Sequence, residues 1–128
     1  MTDRLERNKQ TVVDFYDLLF NQCRPREAAE KYIGGEYVQH NPSVADGVQP
    51  FIDYFKEAAR EFPGKRVEFK HVIAEGDYVV THCRQEWPGG EIWAGMDIFR
   101  LDSDGKIVEH WDVLQLVPKH SANKSGMF

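Results

Sequence analysis

The stretch RVEFKHVIAEGDYVVTHCRQEWPGGEIWAGMDIFRLDSDGKIVEHWDVLQLV, residues 66–117, decides how this chain folds. Four runs rich in β-branched and aromatic residues are separated by the turn signals Gly76-Asp77, Pro88-Gly89-Gly90 and Asp102-Ser103-Asp104-Gly105. Parallel neighbours need a long crossover, so connections this short predict an antiparallel meander. Its last run, GKIVEHWDVLQLVP, spends Glu109, His110 and Asp112 where a plain core strand would place apolar side chains.

Upstream the rhythm is helical. Asp3 followed by Glu6 resembles a capping box, and Leu5, Val12, Phe15, Tyr16 and Leu19 recur at helical spacing. Pro25 opens and Gly34-Gly35 closes a shorter helix, PREAAEKYI. GEYVQHNP reads as irregular or briefly extended up to Pro42, because the residue before a proline avoids the helical region. A third helix is predicted from about Val48 to Phe62, with Asp46 as N-cap and Phe51, Phe55, Ala58 and Phe62 on one stripe. Helices first and strands afterwards is the α+β order. The expected fold is a cone-shaped, curved antiparallel sheet of about four long strands plus a short one, packed against three N-terminal helices. Residues 1–128 read as a single domain, with 118–128 a polar tail whose Met127-Phe128 end suits docking in a groove or on a neighbouring subunit.

The formal charge of −5, with 16 basic residues spread along the chain, argues against nucleic acid or an anionic membrane as partner. A neutral or cationic small molecule stays open as a partner. Cys23 and Cys83 lie far apart without metal-type spacing and read as reduced, buried thiols. The charged start MTDRLERNKQ lacks the apolar core of a signal peptide, and no run approaches the ~20 apolar residues of a membrane span. The expected location is therefore cytoplasmic.

The mouth of a cone closed by helices is a natural small-molecule pocket, apolar with a few convergent polar groups. The polar candidates are His40, His82, Asp97, His110 and Asp112. Aspartate has poor β-propensity and is rarely buried unless something holds it, which singles out Asp97 and Asp112. If Leu101 faces Lys106 across the last hairpin, Asp97 lies opposite His110 and Gly95 opposite Asp112, all on one face. If Gly105 instead takes the left-handed position of a bulged turn, the register shifts by one and the two aspartates part. Both pairings fit the sequence. The same groups are competent metal ligands, but their spacing is no recognised metal motif. Cys83 cannot be a nucleophile served by His82, because adjacent strand residues point to opposite faces.

The segments EYVQHNP, VIAEGDYVVTHC and above all MDIFRLDSDGKIVEHWDVLQ resemble the SnoaL-like polyketide cyclase group of the nuclear-transport-factor-like superfamily, over nearly the whole chain. YVQHNP and the GMF ending are similar to the branch described as SnoaL-like aldol-condensation enzymes. The resemblance implies acid/base catalysis of aldol type without cofactor or metal, on a small hydrophobic substrate, in a homodimer. It makes Asp112 the catalytic acid/base. The family's helper imidazole falls at or beside Asp97, where this chain has no histidine, a departure that points to related but different chemistry. On this reading Asp112 removes a proton beside a carbonyl, Asp97 raises its basicity, His82 or His110 donates toward the oxygen, and His40 closes the mouth. The competing reading is a binding or dimerisation module, with Trp93, Trp111 and Val113 on the contact face.

Overall fold

The computed structural model describes residues 3–128. Helix α1 (Arg4–Tyr16) starts at Asp3, whose carboxylate accepts the backbone N–H of Leu5 and satisfies a donor that a helix start leaves free. Glu6 turns to Lys9 rather than completing a capping box. Val12, Phe15 and Tyr16 form the buried stripe, but it does not continue to Leu19 as α-helix. Residues Asp17–Asn21 form a π-helical turn in which Leu18, Leu19 and Phe20 are all buried. Three successive buried side chains cannot share one face at 3.6 residues per turn, and the wider turn accommodates them.

Helix α2 (Pro25–Tyr32) passes without a loop into strand β1 (Ile33–Gln39). Gly34 and Gly35 thus belong to the strand instead of closing the helix. A Cβ on Gly34 would lie 3.0 Å from Val108 Cγ1, so glycine is what lets this strand approach its partner. Helix α3 (Val48–Glu61) has Gly47 at its N-cap, while Asp46 bends back to accept the Gln39 N–H at 2.7 Å.

The meander follows as β2 (Arg66–Glu75), β3 (Tyr78–Trp87), β4 (Glu91–Leu101) and β5 (Ile107–Leu116). The strand order is β1-β5-β4-β3-β2, antiparallel within the meander, with the short β1 added in parallel to β5. The result is the expected α+β cone, with a mixed, curved and unclosed sheet. Its inner face packs Val79, Phe99, Leu101 and Ile107 against Phe15, Leu19 and Phe51. At the β2 edge the Asn21 amide pairs with the backbone N–H and C=O of Val67, covering groups that would otherwise stay open. The tail beyond β5 returns over the outer face, where His82 Nε2 lies 2.9 Å from the Met127 carbonyl and Phe128 stacks on the His82 ring. No described helix is long and apolar enough to cross a membrane.

The last hairpin combines two register steps. Asp102 accepts the Gly105 N–H and donates to the Lys106 carbonyl, with Gly105 at φ +79°: a bulged turn. A second step follows, because Leu101 pairs with Ile107 but Arg100 pairs with Glu109, leaving Val108 as an extra residue. Ile107 and Val108 are both buried in consequence. The two steps cancel in the in-out alternation, so Asp97 lies directly opposite Asp112, and Phe99 opposite His110. Leu101 does not face Lys106, and the bulged turn does not part the aspartates.

Gly105 is the residue this hairpin cannot exchange freely, since a Cβ there would take up a left-handed conformation 3.1 Å from the Arg7 guanidinium. Gly105→Val is expected to lower stability by about 1–2 kcal/mol, read as a lower urea midpoint at unchanged slope.

Candidate active site

Four elements deliver the site. Residues 97 and 112 come from β4 and β5, His110 lies two residues before Asp112 on the same face, and the parallel pairing of β1 sets Gln39 level with His110. Asn41 follows β1, and α1 contributes Tyr16 just before the π-helical turn.

Asp97 is completely buried. A carboxylate there survives only if its lone pairs are filled. Oδ1 accepts the Tyr16 hydroxyl at 2.5 Å and lies 2.8 Å from His110 Nε2, while Oδ2 lies 3.4 Å from Thr81 Oγ1 and 3.8 Å from Cys83 Sγ. Burial, reinforced by the charge of Asp97, holds the Tyr16 hydroxyl well above its usual pKa. The same two causes push the Cys83 thiol up to about 12, so it stays a thiol at neutral pH. Asp97 stands behind the pocket wall, which is formed here by Tyr16, His110 and Asp112.

Asp112 does face the cavity. Asn41 Nδ2 lies 3.0 Å from each of its oxygens, and His110 Nε2 is 3.8 Å from Oδ2. Burial raises its pKa above the ordinary carboxylate value. The His110 charge and the Asn41 hydrogen bond oppose that rise, and Asp97 adds to it. A partly desolvated carboxylate of this kind is a stronger base than one in water.

The cavity holds about 60 Å³ and is walled by aromatic rings, among them Phe20, Tyr37, Phe51, Tyr54 and Trp87. Among the described residues no Lys or Arg lines it. The Gln85 amide also lines the cavity and is oriented by the Trp87 indole N–H, which donates to Oε1 at 3.2 Å. The Gln85 Nε2 then meets Cys83 Sγ at 3.9 Å. One oxygen or nitrogen each from Asp97, His110 and Asp112 lies within 4.8 Å of the others, a set able to hold a metal ion. Asp97 Oδ1 already accepts from Tyr16 and meets His110 Nε2, and both Asp112 oxygens already meet Asn41 Nδ2.

The fold thus brings Asp97, His110 and Asp112 together. His40 and His82 lie on the outer face of the sheet: His40 stacks on Trp111 and pairs with Glu109, and His82 packs against His71. The imidazole beside Asp97 comes from β5, not from Asp97's own strand. Sequence reasoning passed over Tyr16, Gln39 and Asn41. Tyr16 read as part of an apolar stripe, although its hydroxyl needs a buried partner there; the two amides flank His40 in the YVQHNP segment already singled out.

Solved structures share this architecture. An NTF2-like protein of unknown function from Mesorhizobium loti is 25% identical, with a TM-score of 0.72 over 90% of this chain and 96% of that one. A candidate polyketide cyclase from Acidithiobacillus ferrooxidans is 19% identical, with a TM-score of 0.73 over 90% of each chain. A candidate isomerase of the SnoaL-like family from Agrobacterium tumefaciens is 20% identical, with a TM-score of 0.69 over 90% of this chain and 99% of that one. No curated protein sequence matches. The family profile of the SnoaL-like domain matches residues 12–110, and with the cone and its inward-facing polar cluster already established, the chain belongs to the SnoaL-like family.

Proposed function

We propose that this chain is a cofactor-independent acid/base enzyme acting on a small, uncharged, largely apolar carbonyl compound. The observation that carries the reading is Asp112, a cavity-facing carboxylate with a raised pKa, set 3.8 Å from an imidazole that Asp97 holds in place. Asp112 takes the proton from the carbon beside the carbonyl, the electron pair moves onto the carbonyl oxygen, and His110 faces the charge that develops. In a β,γ-unsaturated compound, return of the proton from Asp112 to the γ-carbon shifts the double bond and is isomerisation; attack of the enolate carbon on a second carbonyl, whose oxygen takes the proton back from Asp112, is aldol addition. Asp97 and Tyr16 act as positioning residues. His40 and His82, on the other face of the sheet, have no part in this step.

Two features bear on the substrate. With no Lys or Arg among the described residues of its lining, and with Asp112 in it, the pocket disfavours carboxylates and phosphates. A hollow of about 60 Å³ accommodates a group of a few heavy atoms beside Asp112. The outer sheet face exposes Ile73 (60%) and Val113 (70%) beside Met96 and Ile98. An apolar surface of this kind supports a homodimer, which sedimentation would register as twice the chain mass.

Asp112→Asn removes the base without changing its shape. Turnover of a small ketone or aldehyde probe, such as proton–deuterium exchange at its α-carbon, is expected to fall about 10²- to 10⁴-fold. Retained exchange would overturn the reading. A carboxyl whose folded pKa is raised stabilises the fold at pH below its unfolded value and loses that contribution as pH rises through the folded value. The Asn variant should therefore melt at or above the wild-type temperature near neutral pH, with that advantage disappearing in acid. Asn41→Leu deletes a hydrogen bond that lowers the Asp112 pKa, so the acid limb of the pH–rate profile should move to higher pH.

A further inference from the structure

The amide of Gln39 touches more of this site than any substrate-facing role requires. Its Oε1 accepts the backbone N–H of Asn41 at 3.0 Å and a share of the His40 N–H at 3.1 Å, which also donates to the His110 carbonyl at 2.9 Å, while its Nε2 points at the Tyr37 hydroxyl, 3.4 Å away. Two backbone donors can converge only on an oxygen, so the orientation of this amide follows from the chain itself. The same Oε1 lies 2.7 Å from His110 Nδ1. An amide oxygen cannot donate, so Nδ1 must carry the proton of that contact.

The other ring nitrogen then has its state decided for it. His110 Nε2 lies 2.8 Å from Asp97 Oδ1, which already accepts the Tyr16 hydroxyl. With Nδ1 protonated, a neutral imidazole would turn a bare lone pair toward a bare carboxylate oxygen in a fully buried place, an arrangement that costs far more than it returns. A second proton must lie in the Nε2···Oδ1 contact.

We infer that Gln39 is a positioning residue that fixes His110 with a proton on Nδ1, and so makes Asp97 and His110 a proton-bearing pair of zero net charge behind Asp112. Whether the shared proton sits on nitrogen or oxygen, the pair contributes no net negative charge toward Asp112. The catalytic consequence rests on the acid/base reading above; the protonation pattern does not. If position 39 has no acceptor, the ring is free to protonate at Nε2 alone and donate to Asp97 as a neutral imidazole. The pair then carries one negative charge beside Asp112 and opposes its ionisation.

The test is ¹⁵N spectroscopy of the imidazole on the ligand-free protein near neutral pH, with His110→Asn used to assign the signal. The expected result is a protonated-type Nδ1 in the wild type, retained in Gln39→Glu, which keeps an acceptor, and lost in Gln39→Leu, where the proton moves to Nε2. A bare Nδ1 in the wild type, or a Gln39→Leu spectrum unchanged from it, would overturn the inference. Should the Leu variant fail to fold, the wild-type and Gln39→Glu spectra still decide, because a bare Nδ1 in either contradicts it. No substrate enters this measurement, so failure of the enzymatic reading, seen as an active Asp112→Asn, is distinguished from failure of the assignment. Where turnover is measurable, Gln39→Leu should shift the acid limb of the pH–rate profile upward and Gln39→Glu should restore activity.

Discussion

The carboxylate of Asp97 sits in the middle of a sheet, wholly out of water, and much of the interior is organised around that fact. A charge in such a place is tolerable only when hydrogen-bonded on both oxygens. The partners come from remote parts of the chain: a hydroxyl from the end of α1, an imidazole from β5, and a hydroxyl and a thiol from β3. Each is placed by the same packing that closes the helices onto the sheet. The polar cluster and the apolar core are therefore one construction, in which the ring of Tyr16 packs against Phe99 and Phe69 while its oxygen serves Asp97.

The register of the last hairpin makes that construction possible. A single one-residue step would have turned Asp112 outward and left Asp97 facing no carboxylate. The second step, at Val108, restores the alternation and brings His110 and Asp112 to the inner face in turn. The bulge also packs Val108 against Gly34, which lets β1 lie beside β5 and carries Gln39 and Asn41 to the imidazole and the carboxylate. Two backbone irregularities and one glycine thus position five polar side chains.

The two faces of the sheet have different fates. Inside, aromatic rings leave a small hollow lined by one carboxylate, one imidazole and several amides. Outside, His40, His71 and His82 bind tail, strand and neighbour rings instead of a cavity. Alternation along a strand is what separates them: Thr81 and Cys83 point inward, and the histidine between them must point out.

Composition and local pattern by themselves determined the element order, the antiparallel meander, the α+β class and the prominence of Asp97 and Asp112. Those conclusions rest on near-neighbour physics: period, turn chemistry, and the poor fit of aspartate to a strand. Tertiary structure decided the rest. Whether the two aspartates share a face depended on a bulge at Val108, whose residue type carries no mark of irregularity. Gly34-Gly35 read as a helix stop because glycine's local preference was visible, while its close approach to Val108 was not. Tyr16, Gln39 and Asn41 gained their roles from partners dozens of residues away. A hydrogen bond between distant segments leaves no periodicity in the sequence, and only the folded chain brings its two ends within reach.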